Sequence, residues 1–151
     1  MANLTQIKSY LALPGRIATS GQPTAEQFAE IQREGYEVVV NLAMPTSENW
    51  LPEERGIVSE LGMDYVPLPV VWDYPTLDDF ETLAEVLDKN RERPVWVHCA
   101  LNMRVSAMMY LYHRLRLGMK DVEATGYLSK IWVPNDTWQK FMDAAIELYD
   151  D

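Results

Sequence analysis

The sequence predicts an α/β domain with helices on both faces of a mostly parallel sheet of four to five strands. Two short runs of apolar, largely β-branched residues, at 38–42 and 95–98, have the pattern of strands covered on both faces. Helical patterns lie between and after these runs, and strands that alternate with helices form parallel sheets with right-handed crossovers. The C-terminal third is expected to be helical.

Length and charge limit the possible functions. The chain has 151 residues, of which 48% are apolar, so we expect a single domain over residues 1–151. Its net charge of −10 repels nucleic acids and anionic membranes, and we expect neither as a partner. The N-terminus lacks the pattern of a secretory signal, and no apolar run approaches the roughly 18 residues of a membrane span. These features predict a cytoplasmic protein.

The first part of the chain is predicted to form a strand, a helix and a second strand. Residues 16–20 suit a short strand, and the turn after it leads to Thr24. The Thr24 hydroxyl can cap a helix while Gln27 reaches back to the cap. This helix is expected to stop at Gly35, just before the buried strand at 38–42.

Proline marks the next two elements. Pro52 begins a predicted helix whose first-turn acids, Glu53 and Glu54, complement the helix dipole, and the helix is expected to end near Gly62. Residues 65–71 suit a strand, but two prolines inside it cannot donate to a ladder. We therefore expect this strand to be short, bent or at an edge of the sheet.

The second half is predicted to hold one strand and four helices. Thr76 begins the first of these helices, and its apolar residues recur at helical spacing. The strand at 95–98 follows, and a tight turn joins it to a helix that ends near Gly118. Two further helices are expected at residues 122–132 and 136–149.

Cysteine and histidine are scarce. A single cysteine, Cys99, cannot form an internal disulfide, and two histidines provide no zinc-type spacing, so we expect no metal. His113 stands beside Arg114 and Arg116 and is predicted to lie on the surface. The thiol of Cys99 is therefore either inert core or a reactive group.

The turn from His98 to Arg104 joins a strand to the start of a helix. Backbone N–H groups are expected to converge there, and the helix dipole adds partial positive charge. Both effects favour the thiolate form of Cys99, which is a nucleophile. The guanidinium of Arg104 offers paired donors that match two oxygens of a phosphate, sulfate or carboxylate. The turn predicts an oxyanion site at the carboxyl edge of the sheet.

This Val-His-Cys-x4-Arg pattern resembles the phosphate-binding loop of the cysteine-dependent tyrosine and dual-specificity phosphatases. Residues 16–118 as a whole are similar to the small bacterial phosphatase-like domains that are also labelled beta-lactamase hydrolase-like. The similarity is carried by ATSGQPT at 18–24, GYEVVVNL at 35–42, PT at 75–76 and PVWVHC at 94–99. It implies a tyrosine-phosphatase-like fold.

The resemblance implies hydrolysis of a phosphomonoester through a phosphocysteine intermediate. Cys99 would be the attacking thiolate, Arg104 the phosphate clamp, and His98 the residue that orients the loop. The amides that would complete the phosphate cradle are those of Ala100, Leu101, Asn102, Met103 and Arg104. The substrate would be a phosphorylated small molecule or a phosphoprotein, and no metal or organic cofactor is implied.

Such hydrolysis also needs an acid that protonates the leaving oxygen. Asp73 is our choice, because it lies in the Trp72-Asp73-Tyr74-Pro75 segment before the strand that carries the nucleophile. Asp78 and Asp79 are the alternatives. Both lie in the first turn of a predicted helix, where carboxylates cap N–H groups and complement the dipole.

The loop departs from the usual phosphatase pattern. It has four residues between cysteine and arginine instead of five, so the cradle has one amide fewer to bind an anion. One charge-assisted hydrogen bond contributes about 1.5–3 kcal/mol, and its loss predicts weak activity. Asn102 is expected to take the left-handed conformation that glycine usually supplies. Leu101 and Met103 would make the rim apolar. Val105 stands where a hydroxyl commonly helps the thiolate leave, and Ser106 comes one residue late.

Two other functions fit the same turn. A rhodanese-like sulfurtransferase also places a cysteine in a nest of amides, and its loop can have four intervening residues. A non-catalytic module that kept the anion cradle would bind a phosphorylated or carboxylated ligand. The sequence leaves the oligomeric state and the individual substrate open.

Overall fold

The structure is a computed structural model that describes residues 4–149. The two ends of the predicted domain, including the start of the segment searched for a secretory signal, lie outside the described residues. The strands are β1 (Leu11–Leu13), β2 (Ile17–Ser20), β3 (Val38–Asn41), β4 (Asp64–Pro67) and β5 (Val95–His98). A 3₁₀ turn at Leu4–Gln6 precedes the helices, which are α1 (Ala25–Arg33), α2 (Glu54–Glu60), α3 (Leu77–Lys89), α4 (Met103–Leu115), α5 (Asp121–Leu128) and α6 (Asp136–Tyr149).

The five strands form one sheet in the order β1-β2-β5-β3-β4. Strands β2, β5, β3 and β4 are parallel, and β1 pairs antiparallel with β2 at one edge. The predicted sheet is confirmed, and β4 is the short edge strand that its prolines indicated. The register places His98 beside Ser20 of β2 and Asn41 of β3, so three strands end side by side. The residues after these strands therefore share one edge of the sheet.

Side chains of the sheet alternate between two hydrophobic clusters. Val39 and Trp96 pack with α1 and α2 on one face. Val38, Val40 and Val97 pack with α3, α4, α5 and α6 on the other face. The predicted arrangement of helices on both faces is confirmed, and β5 is fully buried at the centre.

Local signals fix where two of the helices begin. Thr24 and Gln27 form the predicted capping box at the start of α1. A second capping box joins Thr76 and Asp79 at the start of α3, with the Asp79 carboxylate accepting from the Thr76 N–H at 3.0 Å. Gly35 adopts a φ of +98°, which permits the sharp turn after α1.

The prediction that His113 lies on the surface is wrong. Its side chain is only 1% exposed, and its ring lies 5.6 Å from the ring of Tyr127. Helix α4 packs between the sheet and helices α5 and α6, so it is buried almost all round. The neighbouring arginines indicate that this end of the helix is exposed. They do not show whether the His113 side chain faces the solvent or the core.

The predicted helix at 122–132 is also shorter than expected, because α5 ends at Leu128. The next residues form turns in which the N–H groups of Ile131 and Trp132 both donate to the carbonyl of Leu128. This change of direction lets Trp132 pack against Trp138 of α6.

Within residues 4–149 there is no helix with the length and apolar character needed to traverse a lipid bilayer.

Candidate active site

The site is built around the turn between β5 and α4. Asn102 precedes the helix in the left-handed conformation, with φ +67° and ψ 2°, as predicted. Its side-chain amide donates to the carbonyl of Ser9 at 2.8 Å and to the Thr19 hydroxyl at 3.0 Å. These two bonds hold a backbone conformation that a non-glycine residue rarely adopts.

The start of the turn is fixed by residues that follow β2 and β3. The carbonyl of Ala100 accepts from the Gln22 N–H at 3.1 Å and from the Asn49 side-chain amide at 3.0 Å. Gly21 lies so close that a Cβ there would come within 2.6 Å of this carbonyl oxygen. Because the C=O and N–H of a trans peptide point in opposite directions, these bonds also set the direction of the Leu101 N–H.

Cys99 follows β5 directly and is only 1% exposed. It belongs to the hydrophobic core cluster that includes Val97 and Val105, and it also lines a cavity of about 150 Å³. The other lining residues are Trp72, Ala100, Leu101, Met103 and Arg104. Leu101 is 44% exposed at the rim, and the predicted apolar rim is present.

Arg104 points inward from the first turn of α4 and is 6% exposed. Its Nη1 donates to the carbonyl of Val70 at 3.0 Å, and its guanidinium carbon lies 5.8 Å from the centre of the Trp72 ring. Its Nε–H is buried and has no hydrogen-bond partner among residues 4–149. The structure thus holds the guanidinium beside the cavity with its Nε–H unpaired.

His98 lies behind the turn in a polar network that the sequence analysis missed. Its Nε2 lies 2.6 Å from Oε2 of Glu54, and its Nδ1 lies 3.2 Å from the carbonyl oxygen of Cys99. The other Glu54 oxygen accepts from the Gln22 side-chain amide at 2.7 Å. His98 and Glu54 are completely buried.

Two features of the sequence concealed this network. The sequence explains Glu54 as an acid that complements the dipole of α2. Gln22 lies in a turn that can share this edge of the sheet, but turn chemistry already explains its presence there. The network depends on contacts between residues 32 and 44 positions apart, which no local pattern in the sequence records.

The three acid candidates have different surroundings. The Asp79 carboxylate is engaged in the capping box of α3, and Asp78 is exposed in the first turn of that helix. Asp73 is exposed directly after Trp72, which lines the Cys99 cavity. The carbonyl of Trp72 accepts from Nε1 of Trp138 at 2.9 Å, which anchors this loop to α6.

The two residues after Arg104 do not line the Cys99 cavity. Val105 is fully buried in the core. The Ser106 hydroxyl donates to the carbonyl of Met103 at 3.0 Å. In addition, residues 4–149 contain no group of three or more His, Cys, Asp or Glu side chains that could hold a metal ion.

Comparison with known sequences identifies one family model and several curated relatives. The sequence model of the family described as "DSP-PTPase phosphatase fused to NAD+ Kinase" matches residues 12–139. A beta-lactamase hydrolase-like protein of Xylella fastidiosa (strain Temecula1) is 29% identical over 118 residues, which are 74% of this chain and 27% of that protein. The chain thus spans about a quarter of the length of this relative.

Solved structures share the fold over nearly the whole chain. A protein of Shewanella putrefaciens CN-32 described as "Putative phosphatase (DUF442)" superimposes with a TM-score of 0.85 and 30% identity, covering 97% of this chain and 96% of its own. TpbA of P. aeruginosa in complex with pTyr gives a TM-score of 0.74 at 15% identity, covering 100% and 94% of the two chains. The second likeness concerns the fold alone.

Proposed function

The chain belongs to the family described as DSP-PTPase phosphatase fused to NAD+ kinase, and from this premise we propose that it hydrolyses phosphomonoesters with Cys99 as the nucleophile. The observation that carries the proposal is the inward guanidinium of Arg104, which keeps an unpaired, buried Nε–H at the cavity lined by Cys99. Buried donors are nearly always satisfied, and a guanidinium matches the oxygens of an anion, so the unpaired Nε–H beside the cavity supports anion binding there.

The reaction would run in two steps. The Cys99 thiolate attacks phosphorus, and the ester P–O bond breaks as Asp73 transfers its proton to the leaving oxygen. Water then attacks the phosphocysteine and loses a proton to the Asp73 carboxylate. This step releases inorganic phosphate and restores the thiolate. Arg104 and the amides of the turn stabilise the charge on the phosphoryl oxygens in both steps.

The cavity supports a small phosphate with an apolar or aryl group. Trp72, Leu101 and Met103 surround the opening, and a protein of net charge −10 repels highly charged polyphosphates. We therefore propose a phosphorylated small molecule or a phosphotyrosine-containing protein as the substrate. A cytoplasmic location would suit such substrates.

Release of inorganic phosphate from p-nitrophenyl phosphate at pH 5 to 7 tests the nucleophile and the clamp. Cys99→Ser should abolish release. Arg104→Lys should lower kcat/KM by roughly 10²-fold or more, because an ammonium cannot make paired bonds to two oxygens. Arg116→Lys, on the same chain segment but outside the site, is the matched control and should keep the wild-type rate. Wild-type release no higher than that of Cys99→Ser would refute the proposal.

The role of Asp73 predicts a dependence on the leaving group. Asp73→Asn should lower kcat by about 10²-fold or more for phenyl phosphate, whose leaving oxygen needs a proton, and much less for p-nitrophenyl phosphate. Asp78→Asn serves as the control for loss of a neighbouring carboxylate and should show no such difference. If the two variants respond alike, Asp73 is not the acid.

The four-residue turn also suits a sulfurtransferase, and a phosphatase and a sulfurtransferase form different products. Conversion of thiosulfate to thiocyanate at a higher rate than phosphate ester hydrolysis would assign the turn to persulfide chemistry. Anion binding that survives Cys99→Ser, without any turnover by the wild-type protein, would assign it to a binding module.

A further inference from the structure

The buried contacts of His98 define how many protons its ring carries. The carbonyl oxygen of Cys99 can only accept a hydrogen bond, so the Nδ1 that contacts it at 3.2 Å must bear a proton. The contact between Nε2 and Oε2 of Glu54, at 2.6 Å, requires one further proton between nitrogen and oxygen. The Glu54–His98 pair therefore holds two protons and has no net charge.

The position of the shared proton follows from what else contacts the carboxylate. The Gln22 side-chain amide donates to Oε1 of Glu54 at 2.7 Å, and a donor at this distance favours the ionised form. A buried ion pair is tolerated when hydrogen bonds satisfy both partners, and here they do. This arrangement favours the proton on Nε2, which would make His98 an imidazolium.

We propose that Glu54 is a positioning residue that holds His98 as an imidazolium whose Nδ1–H donates to the Cys99 carbonyl, and so favours the Cys99 thiolate. The inference rests on the proposed role of Cys99 as the nucleophile. The imidazolium is adjacent in sequence to Cys99, whereas the carboxylate lies on its far side. The positive ring of the pair therefore contacts the Cys99 backbone, and the carboxylate lies on the opposite side of the ring.

Other charged or titratable groups face this pair from the neighbouring elements. The Tyr65 hydroxyl of β4 interacts with Glu54 and accepts from the Asn41 side-chain amide at 3.0 Å, and burial raises the pKa of Tyr65. The Arg55 guanidinium of α2 lies 5.3 Å from the centre of the Tyr65 ring. From α1, the ring of Phe28 meets the His98 imidazole edge-on and carries no charge.

Nitrogen NMR of the wild-type protein tests the proton count directly. The chain has two histidines, so His98 and His113 supply all the imidazole signals. At pH 7 both nitrogens of His98 should be protonated, while His113, whose pKa burial lowers to about 4, should be neutral and serve as the internal reference. Loss of one set of signals in His98→Gln assigns them. An unprotonated Nε2 on His98 would overturn the proposal.

The effect on the thiol is tested by the pH dependence of alkylation with iodoacetamide. Cys99 is the only cysteine, so the reaction reports on a single sulfur. Glu54→Gln keeps the shape of the side chain but lets the ring become neutral, and the midpoint of alkylation should rise by about 0.5–1 pH unit. Glu53→Gln removes an exposed carboxylate one position earlier and should leave the midpoint unchanged.

The outcomes separate this proposal from the proposed function. Circular dichroism identifies a Glu54→Gln protein that is folded, and a folded variant with an unshifted midpoint would overturn the role of Glu54. If the variant does not fold, the NMR result on the wild-type protein decides. Neither measurement depends on phosphate release, so an inactive protein that shows both effects would refute phosphatase chemistry alone.

Discussion

His113 is a buried ring without a hydrogen-bond partner on either nitrogen among residues 4–149. Burial lowers its pKa from 6.5 to about 4. The unfolded chain binds this proton more readily than the folded protein, so the stabilisation is complete above pH 6.5 and is lost as the pH falls toward 4. A shift of this size corresponds to about 3 kcal/mol of unfolding free energy.

Urea unfolding at several pH values between 7 and 4 checks this prediction. His113→Met fills a similar volume without a titrating group, so it removes the contribution of the ring and keeps that of the carboxylates. Between pH 7 and pH 4, the free energy of unfolding of the wild-type protein should fall by about 2–3 kcal/mol more than that of the variant. Equal losses in the two proteins would show that His113 does not take up a proton on unfolding.

Some features of individual residues could be predicted from the sequence, and others could not. The left-handed Asn102 and the inward Arg104 could be predicted, because both follow from the local geometry of a strand-to-helix turn. The burial of His113 and Glu54 could not, since it depends on which helices pack over them. A side chain flanked by charged neighbours carries no local sign of the face it occupies.

Elements whose boundaries are set by their own residues were predicted well. The capping boxes at Thr24 and Thr76 fix the starts of α1 and α3, and the β-branched runs fix β3 and β5. Strand β1 was missed, because its three residues form a strand only by pairing with β2. Helix α5 ends early because tertiary packing turns Trp132 toward α6.

Elements far apart in sequence build the site together. Helix α6 contributes no side chain to the Cys99 cavity, but Nε1 of Trp138 binds the carbonyl of Trp72 in the loop that carries Asp73. Trp72 in turn lies beside the Arg104 guanidinium. The helical C-terminal region thus supports the loop that carries the proposed acid.

At the scale of the whole molecule, a net charge of −10 opposes the local positive charge of the turn. The molecular field extends over roughly a Debye length, about 30 Å at 10 mM salt and about 8 Å at 150 mM. An anion approaching the cavity therefore meets repulsion first and the Arg104 guanidinium only at close range. Salt should screen the repulsion more than the short-range attraction.

Alkylation of Cys99 by two reagents of similar size isolates this effect. Iodoacetate is an anion and iodoacetamide is neutral, so only the first should respond to the molecular field. Between 10 and 150 mM salt, the rate with iodoacetate should rise about 2–5-fold, while the rate with iodoacetamide stays constant. A fall in the iodoacetate rate with added salt would show that the turn and Arg104 dominate the field along the whole approach. Anionic substrates would then be attracted to the site despite the charge of the protein.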